Sequence, residues 1–280
     1  FRRPHRRLLT DRRGSMTQHR THWQLPPGIE PGTWEYANRS SIAADYDEYF
    51  RGHGLFALDD ACLERWLPIL PTNSTEVVAD LGCGTGRALV PLVERGYRGL
   101  AVDLSPWMLQ KVQQKSSDGE MLPLCANLVE LDGLRDGCVD HALCLFSTLG
   151  MIKGKACRQK TLGHIGRILK PRGLFFLHVH NLWCNLLFPG GARWMLETVC
   201  RSLFSRELEL GDKYYPYRGL NNMYLHVFRR REILKALTRA GFRIVEATPL
   251  SGDLGGPLPH RWWCGFLRAS GWWIVAERRP

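Results

Sequence analysis

The chain has 280 residues, 44% of them hydrophobic, and a formal charge of +11 from 38 Lys+Arg against 27 Asp+Glu. That apolar content builds a core and excludes general disorder, and no apolar run reaches the roughly 18 residues of a spanning helix. The positive balance raises nucleic acid or a membrane surface as partners, yet nearly half of it sits in Arg2, Arg3, Arg6, Arg7, Arg12 and Arg13, against Asp11. The chain opens on Phe1, with Met16 close behind, so residues 1–15 read as an upstream extension. The rival readings are a basic arm or an Arg-rich transit peptide. Residues 16–33, with Pro26-Pro27-Gly28 and Pro31-Gly32, complete a predicted basic, disordered extension over 1–33.

From Trp34 a single domain is predicted to the end, over 34–280. Trp34 to Phe50 is aromatic and partly helical, and Leu55 to Leu67 has helical apolar spacing that stops before Pro68. Then strands and helices alternate. Val77–Leu81 is a strand, Arg87–Arg95 a helix ended by Gly96, and Gly99–Leu104 a second strand. Ser105 caps a helix to about Lys115, with Pro106 in its first turn. Leu122–Ala126, Val139–Phe146 and Leu174–Val179 follow as strands, with a helix over Cys157–Leu169. The pattern breaks over 183–228, an aromatic, turn-rich insert expected on the substrate side. A helix over Arg230–Ala240, capped by Gly241, and strands over Phe242–Ala247 and Trp272–Glu277 close the chain. This order implies a doubly wound, Rossmann-like α/β sheet with helices on both faces.

The nine cysteines are odd in number, form no CxxC pair and follow no secretory signal, which favours reduced thiols in a cytoplasmic protein. Cys138, His141 and Cys144 have ligand-like spacing, but on a strand residues three apart point to opposite faces, so no metal site is predicted.

The chemistry is carried by Val77-Val78-Ala79-Asp80-Leu81-Gly82-Cys83-Gly84-Thr85-Gly86. Glycines at a strand-to-helix turn accept positive φ and let backbone approach a ligand. Asp103 ends the next strand, where an acid can accept hydrogen bonds from both ribose hydroxyls. The spacing is GxGxG after an acid rather than GxGxxG, which disfavours an NAD-dependent oxidoreductase.

DLGCGTG, then AVDLSPWML, then RILKPRGLFF together resemble the class I S-adenosylmethionine-dependent methyltransferases of the type 11/25 kind, across about residues 34–280. The resemblance implies a seven-stranded sheet with its last strand antiparallel, and S-adenosylmethionine as cofactor. It implies that Asp80 and the loop Gly82, Cys83, Gly84, Gly86 hold the amino-acid end, and that Asp103 takes the ribose. Leu104 and Met108 would flank the adenine, with Asn127 at its amino group, where the family often has Asp. Phe146 and Ser147 would meet the methionine moiety, and Tyr46 would close over the cofactor.

His180, at the C-terminal end of the fifth strand, is the candidate catalytic base, with hydrogen bonding alone as the rival role. His178 is read as a core histidine. Tyr215, Tyr217, Arg218, Asn222 and Trp262 are expected to shape an acceptor pocket. No [DNS]PP[YFW] follows the fourth strand, which lowers base methylation. The leading expectation is O-, N- or C-methylation of a small molecule. The rivals are an RNA or protein methyltransferase and a non-catalytic S-adenosylmethionine-binding protein.

Overall fold

A computed structural model of the chain describes residues 24–116, 119–204, 208–253 and 255–280. Residues 1–15, and most of the expected extension, lie outside the described residues. The described end of that extension packs on the domain: Ile29 is buried, and Gly28 accepts a hydrogen bond from Lys153 N at 2.8 Å.

Three short helices come first, α1 (Pro31–Asn38), α2 (Ser40–Ala44) and α3 (Tyr46–Tyr49), then the longer α4 (Gly54–Trp66). The alternating region follows as β1 (Val77–Leu81), α5 (Leu89–Val93), β2 (Arg98–Asp103), α6 (Pro106–Lys115), β3 (Met121–Cys125), β4 (Val139–Cys144), α7 (Lys155–Ile168) and β5 (Leu169–His180). Helix α5 is shorter than the 87–95 spacing predicts. Pro91 has no N–H to extend its ladder, and Arg87 stays in the preceding turn.

The 183–228 segment is more regular than its sequence suggests. A 3-10 turn over Trp183–Leu187 leads into α8 (Gly191–Phe204), and β6 (Asp212–Tyr217) pairs antiparallel with β7 (Leu220–His226). Positive φ at Arg218 (49°) and Gly219 (78°) gives the two-residue turn that matches strand twist. The chain ends with α9 (Arg230–Arg239), β8 (Phe242–Pro249), α10 (Gly265–Arg268) and β9 (Gly271–Arg278).

The main sheet has seven strands in the order β3-β2-β1-β4-β5-β9-β8. Strands β1 to β5 pair in parallel, and β9 runs antiparallel between β5 and β8. The apolar runs are continuous because both faces are buried. Alternation sends Phe175 and Trp272 into one core with α7 and α9, and Phe176 and Trp273 into the other with α4, α5 and α6. All nine cysteines are free, and no described helix is long and apolar enough to cross a membrane.

Two networks of charged groups tie the layers together. Arg87 reaches Asp59 at 2.7 Å, and the fully buried Asp59 also accepts from Trp273 Nε1 at 3.1 Å. Burial pushes Asp59 up to about 6, although Arg87 pulls the other way. Behind β7, His226 meets Asp212 through Nδ1 at 2.8 Å and Glu232 through Nε2 at 2.9 Å. Arg158 sits on the neighbouring Glu209 at 2.8 Å, so the Glu209, His226 and Glu232 cluster already has a resident cation.

Candidate functional site

The C-terminal ends of parallel strands are where an open α/β sheet binds ligands. Here a cleft of about 370 Å³ lies at that edge, lined by Gly82 and Gly84 after β1, Asp103 at the end of β2, Phe146 after β4 and His180 at the end of β5. Helices α1 to α3 and the β6–β7 hairpin roof it, contributing Tyr36, Tyr46, Tyr215, Tyr217 and Met223.

The roof is held by specific contacts. Asp47 accepts from Thr85 Oγ1 at 2.5 Å and from Lys115 Nζ at 2.7 Å, tying α3 to the glycine loop and α6. Arg218 pairs with Asp45 and lies over the Tyr49 ring, 4.3 Å from its centroid, tying the hairpin to the same helices. Gly32 of α1 sits so close to β7 that a Cβ there would lie 2.0 Å from the Asn222 carbonyl oxygen.

In the glycine loop, φ is +86° at Gly82, +54° at Gly84 and +81° at Gly86, the left-handed region that glycine enters freely. The reasons for glycine differ along the loop. A Cβ at Gly82 would come within 2.3 Å of Thr148 Cγ2, so bare backbone is needed to pass Thr148. A Cβ at Gly84 would meet nothing closer than Tyr46 at 3.8 Å, so it would enter the space between loop and roof. Gly86 does not line the cleft; it lets the loop press on Val112 of α6.

Asp103 is half-buried at the floor of the cleft, and burial raises its pKa against its backbone hydrogen bonds. Its Oδ2 accepts from Gly84 N at 2.9 Å and its Oδ1 from Ser105 N at 2.8 Å. Each carboxylate oxygen has a second lone pair, so the group stays available to a diol while holding the loop in place. Ser105 is the helix cap, accepting from Met108 N at 3.4 Å.

Leu104, Met108, Asn127, Phe146, Ser147 and Tyr46 also line the cleft. Phe146 and Ser147 are non-glycine residues at positive φ, 51° and 62°, an uncommon conformation that collects at functional sites. The buried Ser147 Oγ and Thr33 Oγ1 have no hydrogen-bond partner among the described residues, and both residues line the cleft. Orphaned polar atoms of this kind suit a polar ligand. Asn127 has a structural task as well. It donates to Pro27 O at 2.9 Å, and its Oδ1 accepts from Val129 N at 3.1 Å, leaving one lone pair for any adenine amino group.

Asp80 and Cys83 face a small recess of about 30 Å³ beside the cleft, shared with Arg87 and Phe56. Burial pushes Asp80 up to about 7, with Arg87 opposing. His180 lines the cleft, and burial with the nearby Lys213 lowers it to about 4, against a hydrogen bond to the Ser270 backbone. The fully buried His178 leaves both ring nitrogens unpartnered among the described residues, and burial drives its pKa well down.

Three expected acceptor residues stand elsewhere. Arg218 is spent on Asp45 and Tyr49, Asn222 shows its side chain to solvent while its backbone packs on Gly32, and Trp262 is 82% exposed. Tyr215 and Tyr217 do reach the cleft, because strand alternation turns Tyr214 and Pro216 outward. His53, which caps α4 by accepting from Leu55 N at 3.3 Å, lines the cleft without any local sequence signal.

Residues 79–177 match a family model described as a methyltransferase domain. Over 143 residues the chain is 35% identical to YqeM of Bacillus subtilis (strain 168), which carries a methyltransferase name, covering 50% of this chain and 54% of that one. Over 109 residues it is 34% identical to the malonyl-[acyl-carrier protein] O-methyltransferase of Marinomonas sp. (strain MWYL1), covering 34% of this chain and 40% of that one. The chain thus spans about half the length, or less, of the curated relatives it matches. A solved methyltransferase from Methanosarcina mazei superposes with a TM-score of 0.59 at 18% identity, over 75% of this chain and 95% of the other. The Burkholderia thailandensis 1,6-didemethyltoxoflavin-N1-methyltransferase, solved with its substrate and S-adenosylhomocysteine, gives 0.53 at 19%, over 86% and 85%. At these identities the likeness concerns the fold.

Proposed function

We propose that this chain is a class I S-adenosylmethionine-dependent methyltransferase that methylates an O, N or C atom of a small-molecule acceptor, a reading supported by the methyltransferase-domain match over residues 79–177 and the fold. The observation that supports a small acceptor is the roof: α1 to α3 and the β6–β7 hairpin close over a cleft of about 370 Å³. A macromolecular substrate would have to displace Asp47 from Thr85 and Lys115, and Arg218 from Asp45.

The residues fit the cofactor in three respects. Asp103 offers free lone pairs beside the glycine loop, Gly84 leaves room for a ligand against backbone, and Ser147 presents an orphaned hydroxyl. When bound, S-adenosylmethionine supplies a methyl group already activated by its sulfonium. The protein's part is then to align the acceptor and exclude water. The aromatic roof of Tyr36, Tyr46, Tyr215 and Tyr217 excludes water.

Burial lowers the pKa of His180 to about 4, so its ring is neutral at pH 7. A neutral imidazole at the cleft wall has one ring nitrogen able to accept a hydrogen bond from the acceptor. A nitrogen this weakly basic orients a donor more than it removes a proton.

The test incubates the full chain and methyl-labelled cofactor with metabolite extract, RNA and protein in separate reactions. Label in the low-mass fraction supports this reading. Label in RNA or protein overturns the acceptor class, and cofactor binding without transfer to any pool indicates a non-catalytic binder.

A further inference from the structure

A helix packed on a globular domain normally turns its apolar stripe inward. Helix α8 does not follow this rule. Gly191, Met195 and Thr198 face the protein, while Ala192, Leu196, Val199 and Leu203, spaced four, three and four residues apart, form a stripe on the exposed side. Leu203 is 75% exposed and Phe204, at the helix end, 92%.

This stripe has apolar neighbours. The 3-10 turn over Trp183–Leu187 packs against both α8 and α10, and its end exposes Leu186, Leu187 and Phe188. On the α10 side Trp262, Trp263 and Phe266 are also exposed. Soluble proteins seldom leave a contiguous patch of this kind without a use.

Among the described residues, the unpaired charges around the patch are of one sign. Among the described residues, Arg201 on α8, Arg261 beside Trp262, and Arg230 and Arg231 at the start of α9 make no ion pair. Arg230 and Arg231 line a shallow groove together with Trp183 and Phe266, so they border the apolar surface directly. The acids on these elements are already engaged: Glu197 pairs with Arg193, and Glu232 turns to His226. Leucine, phenylalanine and tryptophan next to unpaired arginine are the residue types that seat in the interface of an anionic membrane.

We propose that residues 183–188, α8 and residues 262–266 form a docking face for an anionic lipid bilayer. The aromatic and leucine side chains enter the headgroup and acyl boundary, and Arg201, Arg230, Arg231 and Arg261 meet lipid phosphates. The arrangement is peripheral, since no described helix is long and apolar enough to cross a bilayer. It goes beyond the methyltransferase reading and does not depend on it.

The experiment is sedimentation of the full chain with sucrose-loaded vesicles, either pure phosphatidylcholine or phosphatidylcholine with 30% phosphatidylglycerol (about that fraction gives a well-charged surface). The chain should sediment with the anionic vesicles, and raised salt should release it by screening. The double variant Leu203→Glu with Phe204→Glu, and separately Trp262→Ser with Trp263→Ser, should each weaken binding at least tenfold. Arg230→Glu with Arg231→Glu should weaken it comparably, on anionic vesicles only. These side chains are exposed, so the variants should melt at the wild-type temperature and keep S-adenosylmethionine affinity.

Three results overturn the proposal: no sedimentation with anionic vesicles, sedimentation that none of the variants weakens, or a wild-type dimer that Leu203→Glu with Phe204→Glu dissociates while vesicles are ignored. The last assigns the face to a second copy of the chain.

Discussion

Changing Gly82 and Gly84 to alanine should give opposite signatures although the two positions are two residues apart. At Gly82 the new Cβ lies 2.3 Å from Thr148 Cγ2 and 2.8 Å from its Oγ1, at a φ of +86°. Left-handed backbone costs a non-glycine residue roughly 1–2 kcal/mol, and overpacking a filled site adds about 1–3 kcal/mol. The expected loss is therefore about 2–5 kcal/mol, which at roughly 2–4 °C per kcal/mol lowers Tm by on the order of 10 °C. At Gly84 only the backbone cost of about 1–2 kcal/mol applies, because the nearest atom is Tyr46 Cε1 at 3.8 Å. Its Cβ enters the space assigned to cofactor, so Gly84→Ala should weaken S-adenosylmethionine binding at least tenfold with a much smaller fall in Tm.

Thermal melting and calorimetric titration read the two effects separately. Adding Thr148→Ala to Gly82→Ala should return about 1–3 kcal/mol, the overpacking share. That recovery is measured against Thr148→Ala alone, which loses its own bond to Leu145 O. If Gly82→Ala melts like wild type, or Gly84→Ala binds cofactor like wild type, the division of labour in the loop is wrong.

Other outcomes follow from the buried charges. Arg87→Ala leaves the fully buried Asp59 without its cation and should cost about 3 kcal/mol, the low end for breaking a buried pair because Arg87 is partly exposed. Denaturant unfolding should show most of that loss recovered in Arg87→Ala with Asp59→Asn, which keeps an acceptor for Trp273. For His226, burial lowers the pKa, but hydrogen bonds to Asp212 and Glu232 outweigh it and raise it above the ordinary 6.5. Its contribution is thus full below 6.5 and fades as pH rises through the folded-state value. Asp212 and Glu232 are held below their ordinary values by the same bonds, against burial, so their contribution is lost as pH falls through their folded-state values. Stability against pH should peak between about 4.5 and 6.5 from this cluster, and His226→Gln should flatten the fall on the alkaline side of that window. An unchanged alkaline limb would remove His226 from the account.

The parts of the site that were legible in the sequence are those encoded locally. Asp80 to Gly86 and Asp103 announce themselves through spacing, and the fold follows because each strand's apolar run is short and bounded by turn residues. Contacts made across the chain left no such trace. Asp59 and Trp273 meet 214 residues apart, and Asp47 reaches Thr85 across 38, so neither pair has a local pattern. His53 enters the cleft only because α4 begins there. Side-chain direction in the insert was equally hidden: Arg218 looked like a pocket residue, but the turn at +49° aims it at Asp45. Helix α8 has helical spacing in Ala192, Leu196, Val199 and Leu203, but Pro189-Gly190 before it and the aromatic, turn-rich residues after it mask that signal, and spacing alone does not say which way the stripe faces.

The central claim is that the cleft beside Asp103 holds S-adenosylmethionine, and calorimetric titration of the chain with S-adenosylmethionine and with NAD tests it most directly. The account predicts saturable, one-to-one binding of S-adenosylmethionine, no binding of NAD, and affinity reduced at least tenfold in Asp103→Ala, which removes the diol acceptor and its charge-assisted bonds. Binding of NAD without S-adenosylmethionine, or full cofactor affinity in Asp103→Ala, would contradict it.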